Sequence, residues 1–132
     1  SRVLCPVDFS VYSDNAIARL RATPGVGEAI LLFVVSRGET EQEIEYYERR
    51  AEQRIEKIQR DLATQGIRAR ALVKRGNPSS EILRVAEEED VSAVWMSSVG
   101  RGWFRELLLG STADAVAVNS RRPVFIIRSK ES

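Results

Sequence analysis

Short apolar runs alternate with amphipathic helical patterns along the whole chain, and this alternation restricts the possible folds more than any other feature. Strands that alternate with helices in this way form a parallel sheet with helices on both faces. We therefore predict an α/β protein, with one domain over residues 1–132 and an open sheet of five parallel strands. The predicted strands are Arg2–Val7, Ala29–Val35, Ile67–Lys74, Val91–Met96 and Pro123–Ile127.

The first and last predicted helices are short. We expect Ser13 to cap the first helix, because a serine side chain can accept a hydrogen bond from an amide at a helix start. The last helix is predicted to begin near Ser111, with Ala115, Val116 and Val118 on its apolar face. Both helices are expected to pack their apolar faces against the sheet.

The segment from about Thr40 to Gln65 has apolar residues at steps of three and four, which is typical of a long amphipathic helix. Gly66 is expected to end it, since glycine readily adopts the left-handed conformation that follows many helices. The remaining positions are densely charged, and pairs such as Glu45 and Arg49 have the favourable i,i+4 spacing. We interpret these charges as a solvated helix face.

Two absences exclude whole classes of site. The chain has no histidine and a single cysteine, Cys5, which excludes histidine-based nucleophile systems, histidine-containing metal sites and an intrachain disulfide.

A net charge of +1 gives no reason to expect a nucleic-acid or membrane partner. There is no apolar stretch of membrane-spanning length and no signal-peptide pattern at the start. We therefore expect a soluble, cytoplasmic protein.

Polar residues follow two of the predicted strands. In open parallel sheets, ligands bind beyond the carboxyl ends of the strands. Asp8 comes directly after the first strand, and Ser97 begins a loop of small residues in which backbone amides can approach an anion. Within that loop, Gly100 allows close approach and Arg101 can make a charge-assisted contact to phosphate. The alternatives are that Asp8 only satisfies loop amides and that Arg101 is a solubilising surface charge.

Gly110, Ser111 and Thr112 open the last helix. The free amides and the positive dipole end of a helix form a phosphate site, to which two hydroxyl groups can add donors. The alternative is that Ser111 is an ordinary N-cap. With the preceding loop, this helix start predicts two donor-rich segments on either side of an anionic ligand.

The segments 3–10 and 76–128 closely resemble the universal stress protein domain. Members of that family that bind ATP carry the motif G-x2-G-x9-G-[S/T]. Here Gly100, nine intervening residues and Gly110-Ser111 match its second part, whereas Ser97 stands at the first glycine. A Cβ at Ser97 would enter the space where ribose or phosphate passes, or would strain a turn that requires a positive φ; equally, its hydroxyl could bond to a phosphate.

The resemblance implies a set of ligand contacts. Asp8 and the main chain around Val7 would contact adenine and ribose, Val34 or Val35 would line the adenine slot, and Met96 would pack on the base or sugar. Without the resemblance, these last three residues would be interpreted as ordinary core. The complete set is Pro6, Val7, Asp8, Val34, Val35, Met96, Ser97, Gly100, Arg101, Gly110, Ser111 and Thr112.

The resemblance also implies the strand order 3-2-1-4-5 and a homodimer that pairs through the last strand, Pro123–Arg128. The expected ligand is AMP or ATP, with Mg²⁺ carried by a triphosphate, and the chain could be one copy of a tandem protein. The expected function is an adenine-nucleotide-binding regulatory module in the stress response. The alternative is a dimeric interaction module of the same fold that binds no nucleotide. If the protein has any enzymatic activity, we expect no more than slow ATP hydrolysis, because no evident general base accompanies the loop.

Overall fold

The structure is a computed structural model that describes residues 1–36, 38–98 and 109–128. All five predicted strands are present, with ends that lie within two residues of the predicted ends. The elements are β1 (Arg2–Pro6), α1 (Val11–Arg21), β2 (Glu28–Val35), α2 (Glu41–Ala63), β3 (Arg68–Arg75), α3 (Pro78–Glu88), β4 (Ala93–Ser97), α4 (Ser111–Asn119) and β5 (Val124–Ile127).

The strands form one parallel sheet in the order β3-β2-β1-β4-β5, which confirms the predicted order. The chain winds outward from β1 through β2 to β3, and then returns to place β4 and β5 on the other side of β1. The two windings therefore diverge between β1 and β4. In this architecture, a crevice forms at the carboxyl ends of the strands where the winding reverses.

Helices cover both faces of the sheet. One core cluster joins the sheet to α1 and α2, and a second joins its other face to α3 and α4. The central strands are apolar on both faces because both faces are covered, and Leu4, Ile30 and Leu31 are fully buried. This arrangement places α2 and α4 on opposite faces of the same sheet.

The start of α1 differs from the prediction. Ser10 is the N-cap, and its Oγ accepts a hydrogen bond of 3.1 Å from the Ser13 amide. Ser13 is inside the helix and buried, and its Oγ accepts a hydrogen bond of 3.3 Å from the Asp8 amide. The prediction of Ser13 as the cap was wrong because both serines can cap a helix, and the turn after β1 decides between them. Ser13 instead ties that turn to α1.

The start of α4 also differs from the alternative in which Ser111 is an ordinary N-cap. The N-cap is Gly110, which offers no side chain to the helix, and Ser111 is the first helical residue. The buried face of α4 contains Ala113 and Val116. Val118 is 73% exposed, so its assignment to the apolar face was wrong. The apolar periodicity of so short a helix does not fix its rotation about its own axis, so it does not decide which apolar residues face the sheet.

The long helix α2 is held at both ends. Gly66 follows it with a φ of 79°, in the left-handed region where glycine meets no steric penalty, so the predicted glycine ending is confirmed. At the other end, the guanidinium of Arg75 donates hydrogen bonds of 2.8 Å to Glu41 and to Glu48. These contacts hold the first half of α2 beside the carboxyl end of β3.

Candidate functional site

A cleft of about 790 Å³ opens at the carboxyl ends of β1, β2 and β4. This volume is within the range of small-molecule sites, roughly 300–1,000 Å³. Gly100 and Arg101 lie outside the described residues. The other candidate residues all line this cleft, although they come from four separate parts of the chain: Pro6, Val7, Asp8, Val34, Val35, Met96, Ser97, Gly110, Ser111 and Thr112.

The floor of the cleft is mostly apolar. Val7, Val35 and Met96 are buried, and Val34 is half-buried. The Val7 amide donates a hydrogen bond of 2.9 Å to the carbonyl of Leu32, which extends the β1–β2 pairing into the floor. An apolar floor of this kind fits a flat, uncharged aromatic ring better than a charged group.

Asp8 lies in a tight turn between β1 and α1. Its Oδ1 accepts a hydrogen bond of 3.0 Å from the Ser10 amide, so its role in satisfying a loop amide is confirmed. The next residue, Phe9, has a φ of 64°, which is uncommon for an aromatic residue. The loop role and a ligand contact are compatible, because a carboxylate has about four lone-pair sites and Asp8 lines the cleft.

The start of α4 faces the same cleft. The Gly110 amide donates a hydrogen bond of 2.8 Å to the carbonyl of Ser98, which fixes the entry to the helix. The N-cap Gly110 has no side chain, so the amides that a helix start leaves without internal partners have no side-chain acceptor from the N-cap. Together with the hydroxyls of Ser111 and Thr112, this turn can donate hydrogen bonds to an anion.

Ser97 is the last residue of β4. It pairs with Ile127 of β5 in extended conformation, and it is not among the described residues with a positive φ. A strained turn was one of the alternatives for this position, and the backbone of Ser97 does not show one, because the strand continues one residue further than its apolar run. The remaining effects of serine in place of glycine are those of its Cβ and its hydroxyl at the cleft.

The sequence analysis missed one wall of the cleft. Tyr46, Tyr47, Arg50 and Arg54 of α2 all line it, although the charges of this helix had been interpreted as a solvated face. We call these four side chains the α2 wall. Two adjacent tyrosines within a strongly charged helix were the available signal, but helical periodicity alone does not show which exposed residues face a cleft.

Ring contacts connect the α2 wall to the turn after β1. The guanidinium carbon of Arg54 is 4.4 Å from the ring centroid of Phe9, which in turn packs on Phe33 with 5.0 Å between the ring centroids. The guanidinium of Arg50 donates a hydrogen bond of 3.1 Å to the hydroxyl of Tyr46. The wall is therefore anchored by aromatic contacts.

The described part of the chain contains no cluster of three or more histidine, cysteine, aspartate or glutamate residues that could hold a metal ion. None of the helices within it is both long and apolar enough to cross a membrane. Cys5 is fully buried in the central strand, and burial raises the pKa of its thiol to about 12. This thiol therefore remains protonated at neutral pH.

Comparisons with known proteins agree with this architecture. The family model for the universal stress protein family matches residues 1–128. A universal stress protein of Methanocaldococcus jannaschii is 28% identical over an alignment of 156 residues, which covers 99% of this chain and 96% of that protein. The solved structure of the M. jannaschii protein has a TM-score of 0.84 at 30% identity and covers 100% of this chain and 98% of that chain.

A second solved structure has the same fold at lower sequence identity. It is a universal stress protein family protein of Arabidopsis thaliana with AMP bound, with a TM-score of 0.72 at 15% identity, covering 98% of this chain and 92% of that chain. At this identity, the likeness concerns the fold alone. The family model extends from β1 through β5 and so includes every element that forms the cleft, which shows that this chain belongs to the universal stress protein family.

Proposed function

We propose that this protein binds an adenine nucleotide, AMP or ATP, in the cleft and acts as a regulatory module in the stress response. One observation carries the proposal. All the described residues that the family resemblance assigns to a nucleotide line a single cleft, although they come from the ends of β1, β2 and β4 and from the start of α4. A core also gathers residues from distant parts of a chain, but these residues line an open cleft and several of them are polar, which is typical of a binding site.

Each part of the cleft suits one part of the nucleotide. The apolar side chains of Val34, Val35 and Met96 would receive the base, and methionine adapts its shape to such a surface. The carboxylate of Asp8 would accept hydrogen bonds from ribose hydroxyls. The first turn of α4, whose N-cap Gly110 has no side chain, would bind a phosphate.

The fold-related Arabidopsis protein with bound AMP supports AMP as the first ligand to test. In an ATP complex, the phosphates would carry Mg²⁺, since the described residues include no carboxylate cluster to hold it. The cleft volume of about 790 Å³ leaves room for either nucleotide.

The first experiment is to denature the purified protein and identify any released nucleotide by absorbance and mass spectrometry. We expect adenine nucleotide at close to one equivalent per chain, or binding of AMP or ATP by calorimetry if purification has removed it. Asp8→Ala should weaken binding, whereas Asp61→Ala, a change at an exposed α2 position outside the cleft, should not. No release and no binding at millimolar nucleotide would contradict the proposal.

We further propose that the protein is cytoplasmic and that residues 1–132 form one domain, alone or as one copy of a tandem protein. The proposed assembly is a homodimer that pairs through Pro123–Arg128. Its support is the position of β5 at the edge of the sheet, together with the exposure of Phe125, which is 51% exposed. Light scattering after gel filtration would test the dimer.

A second candidate function is a dimeric interaction module that binds no nucleotide. Two observations favour it: Ser97 stands at the first motif glycine, and Phe125 on the edge strand β5 exposes apolar surface. This function predicts a dimer that is unchanged by AMP or ATP, and no nucleotide in the purified protein.

A further inference from the structure

The cleft has two walls that can attract anions, and they lie on opposite faces of the sheet. The first turn of α4 belongs to the face that α3 and α4 cover. The α2 wall belongs to the other face, which α1 and α2 cover. The carboxyl ends of β1 and β2 lie between them and supply the apolar floor.

The two arginines of the α2 wall have no carboxylate partner within the described residues. Arg50 contacts Tyr46, and Arg54 lies over the ring of Phe9. By contrast, Arg75 binds two glutamates, as noted above. A ligand could therefore supply the missing anion at the α2 wall.

The spacing of the two arginines supports the same conclusion. Residues four apart lie next to each other on a helix surface, and like charges at that spacing repel each other. Both guanidinium groups also border the same cleft. An anion that binds between the two groups relieves this repulsion. The arginine pair is therefore more favourable with an anion bound than without one.

The aromatic contacts leave guanidinium donors available to a ligand, because Arg50 donates to the Tyr46 hydroxyl through one nitrogen only. A guanidinium that lies over a ring uses its face, while its N–H groups remain directed outward along its edges. Arginine N–H groups bind phosphate through paired, charge-assisted hydrogen bonds. Arg54 over Phe9 is therefore positioned without losing its donors.

We propose that Arg50 and Arg54 bind a second phosphate, and that the preferred ligand is an adenosine phosphorylated on both the 5′ and the 3′ carbons. The proposal rests on the proposed adenine-nucleotide site. The 5′ and 3′ substituents leave a ribose in opposite directions, so they can reach opposite walls of the cleft. The second phosphate of ADP instead extends the chain beyond the first in the same direction, toward the wall that already holds it.

The test compares two isomers, ADP and adenosine 3′,5′-bisphosphate, with AMP as the reference, by calorimetry on the full chain. We expect the bisphosphate to bind about tenfold more tightly than ADP, the ratio that one charge-assisted hydrogen bond at a partly exposed site provides. The isomers carry the same number of phosphates, but two phosphomonoesters carry more negative charge at neutral pH than a diphosphate. Variants must therefore separate the contribution of Arg50 and Arg54 from a general attraction to anions.

The double variant Arg50→Gln/Arg54→Gln should remove the preference for the bisphosphate over ADP, and it should lower the affinity for the bisphosphate more than the affinity for AMP. The matched control is Arg49→Gln/Lys57→Gln, which removes the same charge from exposed positions of α2 that do not line the cleft. It should keep the preference. Arg50→Lys/Arg54→Lys should retain part of it, since the charge remains without the planar donor pair.

The outcomes separate the two proposals. If AMP binds and the bisphosphate is no tighter than ADP, the second phosphate site is overturned and the nucleotide site stands. If ADP or ATP loses affinity in the glutamine variant to the same extent as the bisphosphate, a 5′ polyphosphate chain reaches α2 and the bisphosphate preference is overturned. If none of these nucleotides binds, both proposals fail.

Discussion

The two edge strands of the sheet differ in length, charge and cover. β3 pairs with β2 over eight positions and contains four basic residues, and Arg75 at its end is tied to two glutamates of α2. β5 pairs with β4 over four positions and exposes Phe125. Charged edges resist pairing with another chain, whereas short apolar edges accept it. The comparison indicates that β5, and not β3, is the edge that a second copy would use.

The largest expected effect separates packing inside the sheet from exposure at its β5 edge. Leu31 of β2 is fully buried, whereas Phe125 is 51% exposed. We expect Leu31→Ala to lower the free energy of unfolding by about 2–5 kcal/mol, through lost burial and the cavity that remains. Phe125→Ala should lower the free energy of unfolding much less, as measured by urea denaturation at a protein concentration low enough to dissociate a dimer. Equal losses would show that β5 is as well packed as β2.

The next effect concerns assembly. Phe125→Lys places a charge on the β5 edge and should weaken a homodimer by about tenfold or more, because the charge would be buried against the second copy. Analytical ultracentrifugation across a concentration series measures this change. Ala71→Lys, at an exposed position of β3, is the matched control and should leave the dimer intact. A dimer that responds only to the β3 change would reverse the comparison of the edges.

A smaller effect is expected where β4 meets β5. Ser97→Gly restores the first motif glycine and should raise nucleotide affinity a few-fold, because it removes the Cβ from the cleft without relieving any positive φ. Ser97→Ala separates the two effects of serine, since it keeps the Cβ and removes the hydroxyl. Calorimetry with AMP and ATP measures both variants. Reduced affinity in both would show that the hydroxyl binds the ligand.

The smallest expected effect concerns the charged β3 edge. Arg75→Gln removes the ion pairs to Glu41 and Glu48, and these exposed contacts stabilise the fold only slightly. The hydrogen bond from Arg75 lowers the pKa of Glu48 below its ordinary value. This stabilisation is therefore present above the ordinary glutamate pKa and is lost as the pH falls through the lowered value.

Thermal unfolding of the unmodified protein and Arg75→Gln across a pH series measures that difference. The two melting temperatures should be separated slightly near neutral pH and should converge in acid. High salt should also reduce the separation at neutral pH, because it screens exposed charges. A separation that grows as the pH falls would contradict the assignment.

The periodicity of the sequence was enough to predict five strands, the long helix α2 and the glycine after it. Local motifs also predicted that Asp8, Ser97 and the start of α4 would meet, since parallel strands bring their carboxyl ends together. Val34, Val35 and Met96 were expected at the cleft only from the family resemblance. Ser10 and Ser13 show the limit of this reasoning, because both residues have the chemistry of an N-cap and only the turn after β1 selects one. Val118 shows the same limit, because an apolar residue on a short helix can face the sheet or the solvent.

The sequence by itself determined the α/β class, the order of the elements and the chemistry available at the strand ends, because these depend on local propensity and on repeating apolar positions. Only the tertiary structure decided that α2 contributes a wall to the cleft. Arg50 and Arg54 have the same local pattern as other exposed charges of that helix, and they reach the cleft because α2 packs against β2 and β3 with its first half beside their carboxyl ends. Packing between distant elements sets that orientation, and helical periodicity alone does not predict it.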